Sequence, residues 1–159
     1  MLFGKKEIYL PTVCTGRAVP LSEMPDEAFS SGLLGVGYAI EPSDGQFYAP
    51  VTGKIESVAE SKHAYTLTSD EGLEILIHIG VDTVSLHGEG FVPEVREGER
   101  VSVGEPLAHA DLAFIRSHGL PTVTAVLIAN PEKIENPRFK YGAVSGRDAV
   151  MSFRLNKKG

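Results

Sequence analysis

The sequence predicts an all-β fold: an antiparallel β-sandwich or barrel-like arrangement of many short strands, with at most short helical turns. Two observations carry this reading. First, 17 glycines and 10 prolines punctuate the 159 residues at short intervals. Second, the segments between them are short and rich in Val, Ile, Thr and Tyr, and frequent turn signals around such segments mark a sandwich or barrel.

In chain order, the strand candidates are 7–13, 36–40, 54–58, 65–68, 73–79, 100–103, 122–128 and 149–155. Segment 122–128 is apolar on both faces, as a central strand requires. Segment 149–155 places Met151, Phe153 and Leu155 on one face, which suits a half-buried strand. Helical signals are few. A single turn is expected near 25–29, and Asp111 can cap a helix over 112–117, with His118 at its C-terminus and Gly119 as its stop. Segments 49–55 and 97–107 both set small turn residues among β-branched ones, as a folded-over sheet with tight corners requires. No linker or low-complexity block divides residues 1–159, which read as a single domain with a short leader over 1–6.

Composition excludes several classes. A hydrophobic share of 42% with 23% charged residues is ordinary for a soluble globular chain. No apolar run reaches the ~18 residues of a membrane span, and the N-terminus lacks the apolar region of a signal peptide. Cys14 is the only cysteine; it reads as a small apolar filler, and a reducing cytoplasm fits a chain that can form no internal disulfide. With 15 basic and 21 acidic residues the net charge is −6, which speaks against nucleic acid and favours a basic protein partner.

The segment that carries chemistry runs from Gly72 to Val84. It sets one imidazole, His78, in an almost wholly apolar strand followed by Gly80, Asp82 and Thr83. A histidine among Ile and Leu costs stability unless a partner satisfies it. His63, in the preceding strand candidate, is the available partner. If the intervening loop has an even number of residues, Ser69 opposes Gly72 and His63 opposes His78, with Cβ atoms about 4.5–5.5 Å apart. A three-residue loop with a glycine bulge, which Asp70-Glu71-Gly72 equally permits, shifts the register by one and sends the two side chains to opposite faces. Spacing leaves both registers open. A neutral imidazole is a nucleophile toward phosphorus, and a second one can donate a hydrogen bond to the developing charge. Gly80 leaves backbone groups free to hold one tautomer, and Asp82 can orient the ring or a partner's cation. His87 reads as solvent-facing in a turn, His109 as isolated and His118 as a favourable contact at a helix end. No phosphate-binding Gly-rich loop, Gly-x-Ser-x-Gly or His-Glu-x-x-His motif is present.

The run Gly72…Ile77-His78-Ile79-Gly80-Val81-Asp82-Thr83-Val84, continued by Leu86-x-Gly88-x-Gly90-Phe91, closely resembles the signature of glucose-type EIIA proteins of the bacterial phosphotransferase system. Flanking segments match too: Gly35-x-Gly37-x-Ala39-Ile40, Ala49-Pro50-Val51-x-Gly53, Lys62-His63-Ala64, Gly98-x-x-Val101-x-x-Gly104 and Ile128-Ala129-Asn130. The resemblance covers nearly the whole chain. It implies an antiparallel β-sandwich that accepts a phosphoryl group from the small carrier HPr and passes it to a cysteine of an EIIB domain during sugar uptake. By position it implies that His78 is phosphorylated on Nε2 and that His63 stabilises the phosphoryl group and serves onward transfer. Ser61 stands where some relatives have threonine, and its hydroxyl would bond and orient His63. Asp26 and Asp82 match carboxylates at the rim of the HPr-docking face, and Phe29, Leu34, Leu76 and Val84 its apolar surround. Ala59 and Leu76 replace phenylalanine of at least one relative, so a less aromatic docking surface is expected. The leader over 1–6 is too short for the longer N-terminal extension with which some members approach the membrane; the initial methionine and short leader suggest a free-standing polypeptide, and a domain excised from a longer chain would read the same. Because both histidines must reach one phosphoryl group, the resemblance favours the even loop.

The chemistry requires no cofactor. A zinc hydrolase built on His63 and His78 would need a third protein ligand, and no His-x-His or Cys pair supplies one; a facultative zinc ion across the two histidines at a partner interface stays open. A biotinyl- or lipoyl-type carrier, suggested by the Gly-x-x-Val-x-x-Gly cadence, would need an exposed lysine at a Met-Lys-Met or Asp-Lys hairpin, which is missing.

Overall fold

The computed structural model describes residues 6–156; most of the expected leader, residues 1–5, and the basic pair Lys157-Lys158 lie outside the described residues. Fourteen strands run through the described residues: β1 (Glu7–Pro11), β2 (Gly16–Pro20), β3 (Val36–Pro42), β4 (Gln46–Tyr48), β5 (Gly53–Val58), β6 (Ala64–Ser69), β7 (Glu74–His78), β8 (Phe91–Pro93), β9 (Arg100–Val101), β10 (Pro106–Ala110), β11 (Thr124–Ile128), β12 (Ile134–Phe139), β13 (Gly142–Val144) and β14 (Ala149–Leu155). Two short α-helices, α1 (Glu27–Ser30) and α2 (Leu112–Ser117), interrupt them.

Eight strands form one large sheet in the order β13-β2-β3-β11-β7-β6-β5-β9, and two three-stranded sheets, β1-β14-β12 and β4-β10-β8, complete the sandwich. The recorded pairings are antiparallel, as the short-strand, short-turn sequence requires. The main core draws Tyr38, Ile40, Ile55, Tyr65, Leu67, Ile75, Ile77 and Val126 from the large sheet against Leu10, Phe47, Leu107, Val150, Met151 and Phe153 from the small ones. Each fully buried aliphatic side chain of this kind contributes about 1.5–3 kcal/mol. Strand β11 is buried at every position, between β3 and β7, as its two-faced apolarity predicts. Cys14 sits inside this core, 1% exposed; burial, with Asp44 and Glu41 adding to it, drives its thiol pKa far up. That is the behaviour of an apolar filler.

The large sheet also has an apolar outer face. Ala39, Ala125 and Leu127 on its central strands pack with Met24, Phe29 and Val81, joined by the half-buried Leu76. Helix α1 lies over this second cluster, its N-cap supplied by Asp26 Oδ1, which accepts from the Ala28 amide at 2.9 Å. Helix α2 follows the sequence reading: Asp111 Oδ1 accepts from the Phe114 amide at 3.0 Å, His118 Nδ1 lies 3.0 Å from the Phe114 carbonyl, and Gly119 takes φ +73°. Among the described residues no helix is long and apolar enough to cross a membrane.

The hairpin between β6 and β7 corrects one expectation. Thr68 pairs with Glu74 and Ala64 with His78, so the loop is the three-residue Asp70-Glu71-Gly72 and not the even one. The Ser69 amide donates to the Leu73 carbonyl, Ser69 Oγ accepts from the Leu73 amide, and Gly72 adopts φ +90°. Asn130 seals the loop from outside, donating to the Gly72 carbonyl and accepting from the Glu74 amide, both at 2.9 Å. A left-handed glycine closing a three-residue loop is the bulged hairpin geometry, and these bonds hold that register.

Candidate functional site

The site lies at the end of β7 on the outer face of the large sheet. Within β7, Ile75 and Ile77 point into the main core, so period-two alternation turns Leu76 and His78 outward. His78 is flanked on both sides by alanine, Ala64 on β6 and Ala125 on β11. Two small neighbours leave the imidazole standing in a shallow depression. Phe29 of α1 closes one wall, its ring centroid 4.9 Å from that of His78.

His63 stands on the other side, its ring edge-on to that of His78 with centroids 4.8 Å apart. The two histidines therefore meet even though the even register that would have placed them opposite one another does not form. The reason is that β6 begins only at Ala64; His63 sits in a bend just before it, where the pleat does not dictate side-chain direction. Its carbonyl still accepts from the Ile79 amide at 2.8 Å, which ties it to the strand carrying His78.

Immediately after His78 the chain turns through Gly80 (φ +76°) and Asp82 (φ +60°) into a short 3-10 turn over Thr83–Leu86. The Gly80 carbonyl thereby comes to 2.8 Å from His78 Nδ1. A carbonyl can only accept, so Nδ1 carries the proton and Nε2 is left with a free lone pair. Gly80 has no room for a side chain: a Cβ there would stand 2.5 Å from Thr83 Cγ2 and 2.9 Å from the Pro121 carbonyl oxygen. Thr83, fully buried, donates its hydroxyl to the Ile79 carbonyl at 2.6 Å and braces the turn. Sequence reasoning missed Thr83; its signal is a buried-type threonine directly after Gly-Val-Asp.

Burial shifts both rings toward the neutral form. Burial lowers the His78 pKa from its ordinary 6.5, against the opposing pull of the Gly80 carbonyl and the Asp26 and Asp82 carboxylates. Burial also lowers His63, with the neighbouring His78 as the second cause. His63 Nδ1 is buried without a hydrogen-bond partner. The Ser61 backbone acts in the opposite sense, favouring the charged ring. Among the described residues no group of three His, Cys, Asp or Glu side chains could hold a metal ion, so a metal across the two imidazoles would need a donor from elsewhere.

The six residues assigned to a docking face divide in two. Leu34, 41% exposed, Val84, 54% exposed, and Asp82 present themselves to solvent. Phe29 is only 6% exposed, Leu76 and Asp26 are half-buried, and they shape the depression from within. Leu33, 82% exposed beside Leu34, was not anticipated. His87 and His109 are solvent-exposed.

An antiparallel sandwich with a paired-imidazole depression on its sheet face defines a class, the EIIA-type phosphoryl carriers. Residues 7–134 match the family described as phosphoenolpyruvate-dependent sugar phosphotransferase system, EIIA 1. The chain belongs to that family. Among solved structures it is similar to the glucose permease IIA from Mycoplasma capricolum, with 35% identity and a TM-score of 0.87 over 96% of this chain and 99% of that one. It is thus a glucose-type EIIA, a phosphotransferase component that carries a phosphoryl group from phospho-HPr to an EIIB domain in sugar uptake.

Proposed function

We propose that His78 Nε2 is the atom that takes the phosphoryl group and that His63 serves its stabilisation and onward transfer. The observation that carries this reading is the His78 Nδ1–Gly80 carbonyl contact at 2.8 Å, which leaves Nε2 unprotonated beside the edge-on His63 ring. Nε2 attacks phosphorus as the donor's bond to phosphorus breaks, the leaving electron pair staying on HPr. Such transfers pass through a loose transition state, so the protein's work is positioning and charge stabilisation. The ring N–H of His63 donates to a phosphoryl oxygen, and the Gly80 carbonyl favours the cationic character that His78 gains on phosphorylation. In the second half-reaction a cysteine thiolate of EIIB attacks phosphorus, the P–N bond breaks, and the pair returns to His78. Ser61 acts on His63 through its backbone.

Docking uses the exposed Leu34 and Val84 with Asp82, framed by Asp26, Phe29 and Leu76. Leu33 extends the apolar rim. Carboxylates around an apolar depression suit a basic carrier and a contact weak enough to release. Residues 1–159 act as one EIIA domain in the cytoplasm, where carrier and EIIB meet it.

Incubation with phosphoenolpyruvate, Enzyme I and HPr should place an acid-labile phosphate on His78. His78→Ala should take no label, whereas His63→Gln should be labelled yet fail to pass the group to EIIB. A labelled His78→Ala protein would overturn the assignment. The purified EIIB that drains the label identifies the permease served.

A further inference from the structure

The bulged hairpin register poses a geometric problem that the fold solves at one residue. Along β6, Tyr65, Leu67 and Ser69 are buried, while Ala64, Thr66 and Thr68 lie on the face of His78. Continued alternation would put residue 63 on the buried face with Tyr65. Lys62 breaks the alternation. It takes φ +62°, a left-handed conformation rare for a long side chain, and the chain bends at His63 before the strand starts. Three hydrogen bonds fix this conformation: the Lys62 amide donates to the Ala59 carbonyl at 2.8 Å, the Ala59 amide to the Ala64 carbonyl at 2.9 Å, and the buried Tyr65 hydroxyl to the Lys62 carbonyl at 3.0 Å. Strain of this kind persists only where the surroundings over-determine it, and it gathers at functional sites. The Lys62 stem lies over Gly88, and Lys62 itself is exposed.

We propose that Lys62 is a positioning residue: its left-handed backbone, clamped by the Tyr65 hydroxyl, turns His63 out of the strand's alternation and against His78. The backbone conformation is what matters, not the ammonium. This rests on the reading that His63 serves onward transfer.

The test compares Lys62→Gly and Lys62→Asn, which accept φ > 0, with Lys62→Val, which does not. Each full-length variant is labelled by phospho-HPr and then drained by a purified EIIB, and the His63–His78 ring contact is read by a nuclear Overhauser effect on histidine-labelled protein. Lys62→Gly and Lys62→Asn should keep the ring contact and the drainage rate. Lys62→Val should lose the contact and slow drainage on the order of tenfold, with labelling of His78 changed by less than about twofold. If Lys62→Val does not fold, Tyr65→Phe, which removes only the clamp, should weaken the contact in the same direction. A folded Lys62→Val protein with the wild-type ring contact, an intact contact in Tyr65→Phe, or Lys62→Gly as impaired as Lys62→Val would each overturn the proposal. A His63→Gln control that drains normally would sink the role of His63 while leaving the ring contact as the measure of the geometric claim.

Discussion

Two imidazoles with ring centroids 4.8 Å apart, both shifted toward the neutral form by burial, make the protein's stability sensitive to pH. Both His63 and His78 hold pKa values below the ordinary 6.5, chiefly through burial. As pH falls through 6.5 the unfolded chain takes up protons that the folded one refuses. The stability these groups contribute is therefore complete above 6.5 and is lost as pH falls through their lower folded values. Urea unfolding between about pH 7.5 and pH 5.5 should lose stability more steeply for the wild type than for a His63→Gln/His78→Gln variant; equal slopes would contradict the lowered pKa values. Phosphorylation of His78, as proposed, would place negative charge beside His63 and should move the His63 resonances to a higher titration midpoint. Gly80 belongs to the same scale. Alanine there meets Thr83 and the Pro121 carbonyl and must adopt φ +76°, so Gly80→Ala should cost on the order of 2 kcal/mol. It should also slow labelling by phospho-HPr, because the carbonyl that fixes the His78 tautomer is displaced. A fully active, equally stable Gly80→Ala protein would contradict that role.

At the scale of elements, hydrophobic periodicity made β7, β11 and β14 legible, and the Asp111 cap and Gly119 stop made α2 legible to the residue. Strands β2, β4, β8, β10, β12 and β13 were not anticipated. They are short or interrupted by residues that read as turns: β8 ends in a proline, and β12 contains Asn136 at φ +53° followed by Pro137, with only Ile134 buried. Their existence depends on tertiary pairing, not local propensity. The same limit explains the hairpin register. His78 was identifiable as an imidazole in an apolar strand, but its geometry with His63 followed from a bend at 62–63 that no alternation pattern encodes. The side chain that locks the register, Asn130, lies 58 residues from Gly72 in sequence. Asn130→Ala removes two hydrogen bonds to the hairpin and leaves a half-buried carbonyl and amide unpaired. It should lower stability by about 1–3 kcal/mol in urea titration, with accelerated amide exchange at Gly72 and Glu74. Unchanged exchange there would show that the loop bonds alone hold the register.

On the scale of the whole molecule, the large sheet separates stability from function. Its inner face contributes Ile75 and Ile77 to the main core, while its outer face carries Leu76, His78 and the Phe29 cluster. Neighbouring residues of one strand therefore belong to different physical systems, one a close-packed core and the other the sheet face that carries the paired histidines. Ile77→Val deletes one methylene from a fully buried position and should cost about 0.5–1.5 kcal/mol. Because the void opens away from His78, labelling and drainage measured well below the unfolding transition should stay at the wild-type rate. Phe29→Ala should do the reverse in character. It strips the ring that lies 4.9 Å from His78, admits water, and returns the His78 pKa toward 6.5 because desolvation is the leading cause of its depression. Labelling by phospho-HPr should then fall off at a higher pH than in the wild type, a shift readable in the pH profile even where the variant is also less stable. Coincident profiles for wild type and Phe29→Ala, or a profile displaced by Ile77→Val, would mean that the two faces of the sheet are not separable in this way.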